Sequence, residues 1–166
     1  MVRFKNRYFL CEIISDDSRF QQCLDERAVH NTVKNVIARM HGDFGLACCS
    51  IAFSVKYLNA YTGIVLLCCR KDFHRLLWSS LPFITYLESR NQRYPCSFNT
   101  LHVGATIRTC QKFLIHYNSN QLLALLRNCT SEDRQAIQES VQSCMFVEEE
   151  QFHSKDEESD DSMQMA

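Results

Sequence analysis

The sequence has little glycine and proline and no long apolar run. Only 4 of its 166 residues are glycine and 2 are proline, which leaves too few glycines for a phosphate-cradling loop of the Walker type. No apolar segment approaches the roughly 20 residues that a membrane-spanning helix needs. The opening residues, VRFKNRYFLCEII, are too polar for a secretory signal. We therefore expect a protein that works in an intracellular, reducing compartment and has no membrane partner.

Metal-binding cysteine spacings are also missing. The chain has 10 cysteines but no C-x-x-C pair, which is the usual half of a zinc site. Cys48 and Cys49, like Cys68 and Cys69, are adjacent on predicted strands, so the members of each pair point to opposite faces. We expect the cysteines to act as small buried hydrophobic side chains.

Charge is distributed unevenly along the chain. Residues 148–166 contain eight acids and one base, a net charge of −7, and few apolar residues. Residues 1–147 contain 17 bases and 11 acids, a net charge of +6. We expect one folded domain over 1–147 and an acidic, disordered tail over 148–166. A basic body favours a polyanionic partner, although charge of this size can also serve solubility alone.

Hydrophobic periodicity predicts four strands and several helices. The predicted strands span 3–14, 46–58, 64–69 and 98–103. The predicted helices begin at Asp25 (ending at Gly42), at Asp72 and at Thr106, with shorter ones at 122–126 and 130–144. Residues 88–95 resemble a polar loop, and 118–120 a helix break. The first helix should bury Val29, Val33, Val36, Ile37 and Met40, and leave Arg27, Lys34 and His41 in solvent.

The order of these elements predicts the fold class. A β-α-β-β-α-β order matches the ferredoxin-like, or split βαβ, antiparallel sheet, in which the first and third strands are central. Here the first and third strands are the ones with apolar residues on both faces, as central strands require. We therefore predict an α+β, ferredoxin-like domain with additional C-terminal helices.

The helix that starts at Thr106 offers the most specific binding feature. Thr106 can cap the free N–H groups of the first turn. Arg108 and Lys112 lie four residues apart on one helical face. The apolar side of the same helix carries Ile107, Cys110 and Leu114. A helix N-terminus attracts anions, and a cation in its first turn is tolerated where phosphate is the usual ligand. An ordinary solvated polar face is the alternative interpretation.

No self-contained active site emerges from the residues. Cys110 is flanked in sequence by His102 and His116, and a helix start can lower a thiol pKa. The apolar side that Cys110 occupies nevertheless favours packing. The third strand, IVLLCC, has no aromatic residue, and no RNP1-like run occurs, so base stacking on the sheet is not expected. A sheet face this apolar needs cover from the helices after Gly104 or from another protein.

Several segments resemble a known family. The resemblance covers about residues 1–147 and rests on MVRFKNRYFLCEI, HGDFG at 41–45, YLNAYTGIVLLCCRKDF at 57–73, LPFITYLE at 81–88 and FNTLHVGATIRTCQKFLIHYN at 98–118. These segments are similar to the small Pop subunits, fifth in the Pop series, that eukaryotic ribonuclease P and ribonuclease MRP share.

The resemblance implies a non-catalytic protein subunit. It implies that the RNA subunit removes the 5′ leader of tRNA with the help of Mg²⁺, that the protein itself binds no cofactor, and that MRP uses the same protein in ribosomal RNA processing. The implied partners are ribonuclease P RNA, MRP RNA, a TIM-barrel-like subunit and a fold relative, in the nucleus and nucleolus. A protein scaffold with little RNA contact and a thiol or metal enzyme are the rival hypotheses.

Family contacts with RNA transfer only to matching basic positions. The choice of Arg108 and Lys112 comes from helix geometry. The candidate RNA-binding residues are Arg108, Lys112, Arg3, Lys5, Arg7, Arg70, Lys71 and Arg75.

Overall fold

The computed structural model describes residues 5–17 and 19–127. The chain divides into two compact units, residues 1–113 and 114–166. The helices and strands are β1 (Asn6–Ile14), α1 (Phe20–Cys23), α2 (Glu26–Ser50), β2 (Ser54–Asn59), β3 (Ile64–Arg70), α3 (His74–Ser80), β4 (Tyr86–Ser89), β5 (Gln92–Pro95), β6 (Ser97–Gly104) and α4 (Ile107–Leu126). Two 3₁₀ turns, Lys71–Phe73 and Leu81–Phe83, flank α3.

The fold is α+β, with an antiparallel four-stranded sheet in the order β2-β3-β1-β6. Strand β1 pairs with β3 and with β6, and Phe9 lies opposite Leu67 on one side and Val103 on the other. Strands β1 and β3 are therefore central and β2 lies at an edge, as their apolar patterns predicted. All six residues from Ile64 to Cys69 are buried, because β3 is covered on both faces.

The hydrophobic core lies between the sheet and helices α2 and α3. The sheet contributes the face with Phe9, Cys11 and Leu67, and α2 contributes the predicted stripe that includes Val29 and Ile37. Burial of these side chains from water is the main favourable term that holds α2 on the sheet. Four of the five residues of that stripe, Val29, Val33, Val36 and Ile37, are buried as the periodicity predicted.

The strand predicted at 46–58 is wrong in its first half. Gly42 does interrupt α2, with φ 66° and ψ −166°, but the helix resumes after it and reaches Ser50. Gly45 explains how the resumed turn packs, because a Cβ at that position would collide with the side chain of His41. The 48–49 cysteine pair therefore lies on a helix, and the strand begins only at β2.

Residues 88–95, predicted as a loop, form part of the hairpin β4–β5. Arg90 and Asn91 occupy its turn with φ of 51° and 62°, the left-handed geometry that suits two-residue hairpin turns. Leu87 and Tyr94 face each other across the pair and are buried. The turn lacks the glycine that usually marks a two-residue hairpin, so no local pattern predicted one here.

The break predicted at 118–120 is absent, and α4 is continuous to Leu126. The Ser119 hydroxyl donates a hydrogen bond to the carbonyl of Ile115 at 2.9 Å, which satisfies this polar side chain within the helix. The helix predicted at 130–144 and the acidic tail lie outside the described residues, so their placement stays a prediction.

Three smaller expectations also need correction. Met40 and Ile107, predicted as buried, are both more than a third exposed. Asp72, predicted to cap α3, lies inside the preceding 3₁₀ turn and makes no capping hydrogen bond. Both apolar residues sit at the margin of a helical stripe, where spacing alone does not decide burial.

Candidate nucleic-acid interface

The start of α4 is built against the central strand β1. Thr106 Oγ1 accepts a hydrogen bond from the N–H of Thr109 at 3.3 Å, which is the predicted cap. Cys110 is buried, and its thiol donates to the carbonyl of Tyr8 at 3.8 Å. A Cβ on Gly104 would collide with Thr109 and come within 2.9 Å of Cys110 Sγ, so glycine is needed where β6 turns into the helix.

Arg108 and Lys112 lie on the first turns of this anchored helix, and both are exposed. Because they are four residues apart, their side chains leave the same helical face. The capped N-terminus and the two cations therefore lie together on the surface, in the arrangement that was predicted to receive phosphate groups.

The sheet register brings other predicted basic residues to the same end of the molecule. The N–H of Lys71 donates to the carbonyl of Lys5 at 2.9 Å. Asn6 lies opposite Arg70, and Tyr8 lies opposite Gly104, the last residue before α4. The beginning of β1 and the ends of β3 and β6 thus lie at the same end of the sheet.

We call this surface the basic end and define it by seven residues: Lys5, Arg7, Arg70, Lys71, Arg75, Arg108 and Lys112. Five of them are exposed, whereas Arg7 and Arg70 are half-buried. Arg3, the eighth predicted residue, lies outside the described residues. The three acids Glu12, Asp16 and Asp17 lie at or beyond the opposite end of β1. This end of the sheet is therefore rich in positive charge, although the exposed Asp72 lies next to Lys71.

The basic end is a rim and not a flat sheet face. Arg7 lies opposite Cys69, on the face of the sheet that α2 covers, whereas Arg70 lies opposite Asn6 on the other face. The alternation predicted for the first strand puts Lys5 and Arg7 on the same face of the sheet. Arg70 lies on the other face, so the basic residues do not form one planar surface.

Lys56 is a basic residue that no sequence pattern singled out as a candidate for RNA binding. Val55 lies opposite Leu67 and Tyr57 opposite Leu66, with a bulge between them, so the exposed Lys56 lies level with the middle of β3. Burial raises the pKa of Cys68, and the nearby Lys56 acts in the opposite direction. In the sequence Lys56 is only a single lysine in an alternating strand. The pairing of β2 with β3 is what places it near Cys68.

Two other arginines are engaged in the fold away from this rim. Arg39 donates from Nη2 to the carbonyl of Phe83 at 3.0 Å. Arg93 lies over the ring of Tyr86, 4.9 Å from its centroid, in a cation–π contact. Arg27, predicted to be solvated, is exposed near the start of α2, and Lys34 is half-buried.

The second face of the sheet does not offer a base-stacking surface. Leu10, Leu66 and Cys68 are buried on it, and His102 is stacked on Phe113 of α4 with ring centroids 4.7 Å apart. This face is covered, as its apolar composition predicted.

The cysteines behave as packing residues wherever the structure describes their environment. Burial raises the pKa of Cys110, which is opposite to the change that an activated nucleophile needs. Burial also raises the pKa of Cys11 and Cys69 to about 12. Within 5–17 and 19–127, no group of three or more potential ligands could hold a metal ion. In the same ranges, no helix is both long enough and apolar enough to cross a bilayer.

Fold and surface together define a class of protein: a small α+β domain with a cluster of basic residues at one end of its sheet, which suits a polyanionic ligand. The chain belongs to the Rpp14/Pop5 family, whose profile matches residues 7–115. It is similar to the protein named "Ribonuclease P/MRP protein subunit POP5" of Homo sapiens, with 65% identity over 153 residues, 91% of this chain and 94% of that protein. The Danio rerio protein of the same name is 44% identical over 166 residues, 97% and 98% of the two chains.

A chain in a cryo-EM structure of yeast ribonuclease MRP superposes on this one with a TM-score of 0.49 and 14% identity, over 75% of this chain and 98% of that chain. A likeness at that level is too weak to support an inference.

Proposed function

We propose that this chain is a non-catalytic protein subunit of ribonuclease P, which removes the 5′ leader of tRNA, and of ribonuclease MRP, which processes ribosomal RNA precursors. The observation that carries this proposal is the basic end. Lys5, Arg70 and Lys71 are brought together there by strand register, next to the capped start of α4. Family membership and the names of the relatives support the same conclusion.

In this proposal the basic end neutralises phosphates of folded RNA. Side-chain cations and helix N–H groups are the usual donors to RNA phosphates, and they fix orientation without reading sequence. The buried second face of the sheet argues against recognition by base stacking there. The RNA would use Mg²⁺ for the chemistry, and the protein would bind no cofactor of its own.

We also propose the sheet topology, the partners and the cellular location that the family resemblance implies. The order β2-β3-β1-β6 fits a ferredoxin-like sheet into which the hairpin β4–β5 is inserted before the last strand. We expect ribonuclease P RNA, MRP RNA, a TIM-barrel-like subunit and a fold relative as partners, in the nucleus and nucleolus.

A protein scaffold with little RNA contact is the second candidate. It is favoured by one observation, the large apolar side chains that α2 and α3 leave exposed, among them Phe44 and Trp78. The two candidates differ in their charge dependence, since phosphate contacts give a steep loss of affinity with salt and apolar protein contacts do not.

The test combines binding and depletion. Filter binding of the full chain to ribonuclease P RNA over a salt series should give a steep negative slope of log affinity against log salt. Depleting the chain from cells should lead to the accumulation of tRNA precursors that keep their 5′ leader. A flat salt dependence together with normal tRNA processing would reject the proposed function, whereas a flat salt dependence with impaired processing would favour the scaffold.

A further inference from the structure

A cavity opens at the end of the sheet opposite the basic end. It has a volume of about 410 Å³ and lies between the end of β1, helix α1 and the turn that joins β2 to β3. The buried Ile13 and Phe20 form its inner wall, whereas Ile14 and Tyr61 line it and are 48% and 87% exposed. We call it the Tyr61 cavity. Concave surfaces with apolar and aromatic side chains at the mouth are typical places for a partner to insert a side chain.

The backbone around Tyr61 is fixed by hydrogen bonds to three different segments. The N–H of Tyr61 donates to Oδ1 of Asn59 at 3.0 Å, and Nε2 of Gln21 donates to the carbonyl of Tyr61 at 3.3 Å. The N–H of Ile13 donates to the carbonyl of Gly63 at 2.8 Å. The turn therefore presents its exposed ring from a fixed backbone, and a partner that binds there has little loop ordering to oppose it.

The charged side chains of the cavity are all of one sign. Glu12, Asp16 and Asp17 line it, and the described residues that line it include no lysine, arginine or histidine. Asp17 is engaged, because it forms an ion pair with Arg19 at 3.5 Å and accepts the Arg19 N–H at 3.0 Å. The carboxylates of Glu12 and Asp16 make no hydrogen bond or ion pair within the part of the chain that the structure describes. These two carboxylates are therefore available to a ligand.

Apolar mouth and negative charge together select the chemistry of the occupant. RNA is excluded, because its phosphates would meet carboxylates where binding needs cations. Lysine and arginine side chains fit, since each has an apolar stem that can pack on Ile14 and a cationic head that can reach a carboxylate. The ring of Tyr61 adds a face on which such a cation is attracted. The cavity thus matches a basic side chain of a protein.

We propose that the Tyr61 cavity docks a lysine- or arginine-rich segment of another protein subunit of the same ribonucleoprotein. One basic side chain of that segment enters the cavity, with its stem against Ile14 and Tyr61 and its head on Glu12 and Asp16. This inference rests on the proposed function, which supplies the assembly, and proteins that bind RNA commonly carry such basic segments. RNA on the basic end leaves this cavity accessible, because the two lie at opposite ends of β1.

Photo-crosslinking from the cavity identifies its occupant in the assembled particle. The photoreactive amino acid p-benzoylphenylalanine replaces Tyr61 in the full chain, and ribonuclease P that contains this chain is purified from cells and irradiated. We expect a crosslink to one other protein subunit, within a peptide that contains lysine or arginine beside the crosslinked residue. The same amino acid in place of Ile51, which is 65% exposed and lies outside the cavity, should not give that peptide.

Variants then test the chemistry of the contact with the purified subunit that the crosslink identifies. Glu12→Gln combined with Asp16→Asn keeps the shape of the cavity and removes its free charges, so binding should weaken about tenfold at low salt and depend less on salt. Tyr61→Ser alone should also weaken it about tenfold. Glu88→Gln is the matched control, because Glu88 is an exposed acid outside the cavity. Thermal melting shows that each variant is folded, and the salt slope of RNA binding should stay unchanged.

Four results would overturn the inference while the chain still purifies with ribonuclease P RNA. A crosslink to RNA would show that the negative charge does not exclude phosphates. A crosslink to a second copy of this chain would make its own basic end the occupant. No crosslink would show that the cavity is not an interface, and full affinity of the Glu12 and Asp16 variant would show that charge does not select the partner. A chain that does not purify with ribonuclease P RNA would instead reject the proposed function, and the inference with it.

Discussion

Changing both Arg108 and Lys112 to glutamine tests whether the start of α4 contacts RNA phosphates. Both side chains are exposed, and the cap at Thr106 is made by other atoms. Glutamine has a helix propensity close to that of arginine and lysine. We therefore expect the free energy of unfolding to change by less than about 0.5 kcal/mol, as for most surface substitutions.

The expected effect on binding follows from counterion release. Each lost phosphate contact should reduce the slope of log affinity against log salt by roughly 0.7–0.9, so the double variant should lose roughly 1.4–1.8. When salt is raised from about 50 to 200 mM, both proteins lose affinity for RNA. The factor by which the variant loses affinity should be about ten times smaller than the factor for the unchanged chain. The weakening should be the same for every RNA sequence, because phosphates carry no sequence information. The assembled enzyme should then need more Mg²⁺, which replaces the missing positive charge.

Filter binding to ribonuclease P RNA over this salt range measures both quantities. The control variant changes Arg27 and Lys34 to glutamine, since Arg27 is exposed but lies near the start of α2, away from the basic end. If the Arg108 and Lys112 variant keeps the original affinity and slope while the control variant does not, the start of α4 is the wrong surface. The basic residues at the start of β1, Lys5 and Arg7, would then be the next to test.

Three further predictions concern the tail, pH and packing. Removing residues 148–166 should leave the melting temperature unchanged and strengthen non-specific RNA binding at low salt, because a segment of net charge −7 no longer competes for the basic surface; equal affinity of the two forms near 50 mM salt would count against this competition. Burial raises the pKa of Cys11 and Cys69 from 9.0 to about 12. As pH rises, the unfolded chain therefore loses these thiol protons before the folded chain does. The free energy of unfolding should fall between pH 9 and about 12 by about 1.4 kcal/mol per pH unit for each thiol. Urea unfolding at pH 8 and pH 10 measures this, and equal midpoints would contradict it. Gly63→Ala should cost about 2–4 kcal/mol of stability in the same assay, because φ at Gly63 is +69° and the new Cβ would lie 2.5 Å from the carbonyl oxygen of Ile13; a loss below about 1 kcal/mol would show that the turn relaxes.

Local pattern was enough where neighbours in sequence decide the outcome. An apolar run on both faces placed β1 and β3 at the centre of the sheet. Thr106 capped its helix as expected, because the capping hydrogen bond spans only three residues. Cys110 was predicted to pack, and it is buried against Tyr8.

Prediction from local pattern failed where the same sequence pattern is compatible with two kinds of secondary structure. Over 46–50, the alternation that suggested a strand is too short to exclude a helix. In the structure these residues continue α2 to Ser50, and Gly45 packs closely against His41 on the other side of the break at Gly42. The hairpin β4–β5 was missed because Arg90 and Asn91 adopt a turn for which glycine is the usual signal.

The sequence by itself determined that the domain is basic. All seven residues of the basic end, and the helix start near them, were predicted from the sequence. Only the tertiary structure decided that these residues share one surface. Lys5 meets Lys71 through a backbone hydrogen bond between segments far apart in the chain. The pairing of β1 with β3 and with β6 brings Arg70 and the start of α4 beside them. The physical reason is that strand pairing is set by burial across the whole sheet, which no local spacing records.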